Sequence, residues 1–61
     1  MAIAIVDDTP LNLTLIQALV RKLTPAGTEI VCFTSPVEGL KWCESHEPDL
    51  IIVDYMMPDL D

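Results

Sequence analysis

Apolar residues along this chain fall into five blocks, and each block keeps one of two rhythms. Ala2 to Val6 ("AIAIV") is a continuous apolar run that stops at two aspartates. A short run of that kind fits a strand covered on both faces. Thr9 and Pro10 then read as a threonine N-cap with proline at the first helical position. Leu11, Leu15, Ile16, Leu19, Val20 and Leu23 recur at helical spacing. They predict a helix from about Pro10 to Leu23 or Thr24, ended by Pro25-Ala26-Gly27. Leu13 falls beside Ile16 and Val20 at one edge of this stripe, which makes the helix apolar over a wide arc.

Thr28 to Phe33 ("TEIVCF") is β-branched and aromatic, hence a second strand. Ser35-Pro36-Val37-Glu38 combines a serine N-cap, proline at the first helical position and a glutamate three residues after the serine, which is a capping box. The helix it opens carries Val37, Leu40, Trp42 and Cys43 and ends near His46, with Gly39 weakening it slightly. "EPD" breaks the chain, and Leu50 to Asp54 ("LIIVD") forms a third strand, again apolar on both faces. The order βαβαβ implies an α/β fold with a parallel sheet and right-handed crossovers. Ligands of such sheets sit beyond the carboxyl ends of the strands, where strand order reverses. If the first strand lies between the other two, Asp7 and Asp8 meet Asp54.

Sixty-one residues allow one domain with a small core. With 51% hydrophobic residues and no low-complexity run, the chain is not of the disordered class. Its formal net charge of −7, with Arg21, Lys22 and Lys41 as the cations, argues against nucleic acid and anionic membrane as partners. That balance suits a cation site or a basic partner. The first residues lack a positive n-region, and no stretch is long enough to span a bilayer, so neither a signal peptide nor a membrane segment is expected. Cys32 and Cys43 are not in CxxC spacing, so they read as reduced thiols of a cytoplasmic protein.

Three carboxylates meeting at one sheet edge repel one another unless a cation compensates or one of them stays protonated. Hard oxygen ligands suit Mg²⁺, which keeps several waters and accepts a phosphate oxygen readily. An aspartate beside such an ion can act as a nucleophile and take a phosphoryl group as an acyl phosphate. The sequence supplies no Ser/His/Asp set, no glycine-rich phosphate loop and no zinc spacing.

"IVDD" at the end of the first strand, "TPLNLTLIQALV" in the first helix and "PDLIIVDYMMPDLD" around the third strand resemble the receiver domain of two-component response regulators. The Asp pair is weakly specific; D-x-x-M-P-x-x-D from Asp54 to Asp61 is strongly so. The resemblance implies strand order 2-1-3 with two helices, the first half of a doubly wound flavodoxin-like fold. It makes Asp54 the phosphoacceptor. Asp8 would bind Mg²⁺ directly, Asp7 through water, and the backbone carbonyl of Met56 would be a further ligand, while Pro58 shapes the loop. The donor would be a phosphohistidine on a sensor histidine kinase or phosphotransfer protein, and the receiver would catalyse its own phosphorylation without being a turnover enzyme on an external substrate.

By the same resemblance residues 1–61 form the N-terminal part of a single receiver domain, cut after the phosphoacceptor loop. The parts beyond would carry a switch Ser or Thr and a lysine that pairs with the phosphoryl group; Lys41 is a poor substitute. The cut would leave the third-strand edge exposed and uncover Leu13, Ile16 and Val20 on the first helix, which together favour a homodimer. Two rival functions stand beside this one. The first is a receiver-derived interaction module that is never phosphorylated. The second is a Mg²⁺-dependent hydrolase, disfavoured because Met56 stands where phosphatases with an aspartyl nucleophile usually place a second acid. Blander roles are assigned to Trp42 (packing), to His46 (the negative end of the second helix), and to Glu44, Glu47 and Asp49 (a solvated acidic face).

Overall fold

The computed structural model describes residues 1–54, with Asp54 as backbone only, so Met56, Pro58 and the rest of the loop lie outside the described residues. Strand β1 (Ala2–Asp7) lies in the middle of a three-stranded parallel sheet, between β2 (Glu29–Phe33) and β3 (Leu50–Asp54). Helix α1 (Pro10–Leu23) connects β1 to β2, and α2 (Pro36–His46) connects β2 to β3. The order β2-β1-β3 is the expected 2-1-3, the first half of a doubly wound fold. Register is continuous across the sheet: Ile5 pairs with Cys32 on one side and Ile52 on the other, Val6 with Phe33 and Val53, and Asp7 with Asp54.

The pleat sorts β1 between two layers. Ile3 and Ile5 face α1 and form the core with Leu13, against which Ile16, Val20, Ile30, Cys32 and Ile52 pack. Val6 faces α2, where buried Gly39 lets the helix close onto the sheet: a Cβ there would stand 2.7 Å from Val6 Cγ2. Gly39, read from sequence as a mild weakness, is a point where α2 approaches the sheet too closely for a side chain. No helix among the described residues is long and apolar enough to cross a membrane.

Several boundaries and faces differ from expectation. Strand β2 starts at Glu29 because the Thr28 amide donates to the Pro25 carbonyl, closing the turn in which Gly27 adopts φ +91°. Thr9 holds the N-cap position of α1, yet its hydroxyl caps nothing. Ser35 caps α2 as expected, accepting from the Glu38 amide at 3.4 Å.

The largest correction concerns α1. Leu13, Ile16 and Val20, expected to be uncovered, are the residues packed on the sheet, and Leu11, Leu15, Leu19 and Leu23 are exposed. The helical arc is apolar over more than the sheet can cover, and the strand rows of Ile3 and Ile5 receive its Leu13 edge. Likewise β3 is not covered on both faces: Leu50, Ile51 and Val53 are exposed, as are Val37 and Leu40 on α2. Trp42 packs as expected, 5.8 Å from the Phe33 ring and stacked on His46 at 4.3 Å. Cys32 and Cys43 are free, half-buried thiols.

The opposite end of the sheet is laced shut. The Ala2 amide donates to Asp49 Oδ2 at 2.8 Å, and the Asp49 amide donates back to the Ala2 carbonyl at 2.8 Å. The Glu29 amide donates to the Met1 carbonyl at 2.9 Å. Asp49, assigned from sequence to a solvated face, is part of this clamp.

Candidate functional site

The acids expected to meet do lie together along the backbone. Asp7 and Asp54 end neighbouring parallel strands and are partners in register, and Asp8 follows directly at the turn into α1. This is the carboxyl edge of the sheet at the switch point, since the chain leaves β1 toward β2 and later returns to its other side at β3.

Asp7 is 1% exposed, the buried charged residue of the described part. Its Oδ1 accepts the Thr9 amide at 2.8 Å. Its Oδ2 is buried with no hydrogen-bond partner among the described residues. An ionised carboxylate oxygen left so in a protein interior is costly, by about 1–3 kcal/mol or more. Asp8 is exposed, and its Oδ1 accepts from the Thr9 hydroxyl at 3.4 Å. The amino end of α1 begins here with Pro10, and its Leu13 amide donates to the Thr9 carbonyl at 3.1 Å. The positive end of the helix dipole therefore faces the acids and offsets part of their repulsion.

The sequence also allows Asp7 or Asp8 to cap the first helix, and the Asp7–Thr9 bond gives that task to Asp7. Asp7 does the ordering expected of the Thr9 hydroxyl, by an Asx-type turn two residues on. An aspartate two positions ahead of an N-cap is the local signal for it.

All the side-chain donors here are carboxylate oxygens, which fits a hard cation that keeps part of its water shell, as Mg²⁺ does. A buried carboxylate with one oxygen unpartnered is the fit to this structure, because an ion-held water would satisfy it. Among the described residues no three His, Cys, Asp or Glu side chains form a metal-sized group; the Asp54 side chain and Met56 are not among those residues.

The chain matches the family model of the response regulator receiver domain over residues 3–61. It is 34% identical over 59 residues to the cyclic di-GMP phosphodiesterase response regulator RpfG of Xanthomonas campestris pv. campestris, covering 97% of this chain and 15% of that protein. It is 37% identical over 59 residues to the alkaline phosphatase synthesis transcriptional regulatory protein PhoP of Bacillus subtilis, covering 97% of this chain and 23% of the relative. To the polar-differentiation response regulator DivK of Brucella ovis it is 32% identical over 59 residues, 97% of this chain and 46% of the relative. This chain thus spans less than half the length of each of these relatives. No solved structure matches it.

Proposed function

The chain belongs to the response regulator receiver family, and from that premise we propose that Asp54 accepts a phosphoryl group from a phosphohistidine of a sensor histidine kinase or phosphotransfer protein. In this reading an Asp54 carboxylate oxygen attacks phosphorus, an O–P bond forms, the N–P bond breaks, and the electron pair returns to the imidazole nitrogen. The product is an acyl phosphate on Asp54. Asp8 would hold Mg²⁺ directly, with Asp54 and the Met56 carbonyl, and Asp7 would hold it through water. Bound there, Mg²⁺ supplies positive charge that offsets the charge of the transferring group. In the same reading Pro58 would shape the loop beyond Asp54.

The observation that carries this reading is the in-register pairing of Asp54 with Asp7, whose buried Oδ2 lacks a partner among the described residues. Receivers serve phosphorelay signalling and in general are not turnover enzymes. The phosphodiesterase named among the relatives is a protein of which this chain spans 15%. We assign the chain to the cytoplasm, where such kinases present their phosphohistidines. The outer edge of β3, unpaired among the described residues, fits a further parallel strand, and a second copy could add one there.

Intact-mass measurement with a small-molecule phosphodonor such as phosphoramidate tests the assignment. In a domain of the relatives' length, one phosphoryl group should add with Mg²⁺ and none with a chelator. Labelling that persists in Asp54→Asn would overturn it. In the 61-residue chain labelling should be slow, since Lys41, on α2, is far along the chain from the acids.

A further inference from the structure

Thr9 touches both acids at the head of α1 while leaving undone the task its position sets. A threonine at the N-cap ordinarily accepts an amide of the first helical turn through its hydroxyl. Thr9 has the extended backbone of an N-cap, φ −106° and ψ 111°, yet that hydroxyl caps nothing. It donates instead to Asp8 Oδ1 at 3.4 Å, and the Thr9 amide donates to Asp7 Oδ1 at 2.8 Å. One residue thus holds an oxygen of each acid.

The two contacts bear differently on a cation. Asp7 is 1% exposed, so packing and the Thr9 amide together fix its carboxylate. Its Oδ2, buried without a partner among the described residues, points to a ligand independently of the Thr9 contacts. Asp8 is exposed, so its carboxylate turns in water unless something restrains it. Freezing a turning side chain at the moment of binding subtracts from affinity, and restraining it beforehand avoids that loss. The Thr9 hydroxyl is such a restraint. Groups that touch a metal ligand rather than the metal act in this way.

We propose that Thr9 is a positioning residue for the cation site: its hydroxyl orders the Asp8 carboxylate in advance and so raises the affinity of the site for Mg²⁺. The 3.4 Å contact is long and open to water, which sets a modest gain. This role of Thr9 rests on Asp8 being a Mg²⁺ ligand, so the two are tested apart. Serine would serve in place of Thr9. Valine, with the same branching and no hydroxyl, would not.

Titrating Mg²⁺ into isotope-labelled protein and following the amide shifts by NMR gives the dissociation constant, and thermal melts in chelator report the fold without the ion. Thr9→Val should melt in chelator as the parent does, because the lost hydroxyl caps nothing. Its Mg²⁺ dissociation constant should rise about three- to tenfold, at or below the lower end of what such orienting groups ordinarily supply. Thr9→Ser should bind Mg²⁺ as the parent does. Asp8→Asn should weaken binding more than Thr9→Val; parent affinity in Asp8→Asn would remove the premise, and the role of Thr9 with it. Where Asp8→Asn does lose affinity, an unchanged constant in Thr9→Val would overturn the proposal alone. Equal losses in Thr9→Ser and Thr9→Val would also overturn it, by tracing the effect to shape rather than to the hydroxyl. So would a Thr9→Val chain destabilised in chelator with its Mg²⁺ affinity intact, which would assign the hydroxyl to α1.

Discussion

Asp7 combines two tasks whose demands conflict. Its Oδ1 orders the turn into α1 through the Thr9 amide, which any carbonyl-bearing side chain of that length could do. Its charge, by contrast, costs stability in a site where Oδ2 has no partner among the described residues. Asp7→Asn keeps the first and removes the second. Thermal melts in chelator should show the variant more stable by about 1 kcal/mol. Mg²⁺ should then raise the melting temperature of the parent chain by mass action, and that of the variant much less. Equal Mg²⁺ responses would mean that Asp7 does not serve the ion. Cys32 gives a pH dependence of its own. Burial pushes its thiol above the ordinary range, with Arg21 pulling it partly back. A thiol whose pKa is higher folded than unfolded keeps its proton longer in the fold. Its stabilising contribution is whole below the ordinary thiol value of about 8.5 and is lost as pH rises through and beyond it. Denaturant midpoints of the parent should thus fall above that pH more than those of Cys32→Val, and matching curves would remove Cys32 as the cause.

Between elements, Gly39 decides how closely α2 approaches the sheet. In an exposed helix Gly→Ala would gain about 1 kcal/mol from propensity alone. Here the added methyl would meet Val6 Cγ2 at 2.7 Å, and overpacking of that kind costs about 1–3 kcal/mol. Gly39→Ala should therefore destabilise the chain. Combined with Val6→Ala, it should cost less than the two changes summed, by at least about 0.5 kcal/mol in a urea double-mutant cycle. Additivity would show that the methyl finds room elsewhere. This glycine also marks the limit of what periodicity discloses. The five elements and the parallel order were legible because two-residue and 3.6-residue rhythms alternate along the chain, with Pro10, Pro36 and Ser35 marking helix starts. The backbone pairing of Asp7 with Asp54, with Asp8 next in the chain, followed from topology. What could not be read was which part of the wide α1 arc faces the sheet. Leu15 and Leu19 are as apolar as Leu13 and Ile16, and only the rotation of the packed helix separates them. Nor does sequence spacing distinguish a glycine that loosens a helix from one that admits a neighbour.

Across the whole molecule, stability should grade from the middle strand outward. Strand β1 has a hydrogen-bonded neighbour on each side and is buried from Ile3 to Asp7. Strand β2 is half-buried and rests on both helices, whereas β3 is bonded to β1 and exposes Leu50, Ile51 and Val53. Amide hydrogen exchange should therefore protect β1 most, β2 less and β3 least, because local opening of β3 uncovers little further apolar surface. Protection of β3 equal to that of β1 would mean that β3 is covered in solution.

The lacing of Ala2 to Asp49 and of Met1 to Glu29 has a practical corollary for handling the protein. Residue 1 sits at the base of the sheet, and β1 carries the chain roughly 16 Å from Ala2 before the acids begin, at about 3.3 Å per residue. The anchoring bonds use groups within the chain, so an extension ahead of Met1 displaces none of them. A bead, dye or capture tag joined there would hold the molecule by its closed end, leaving the opposite rim, where Asp8 is exposed, clear of the attachment.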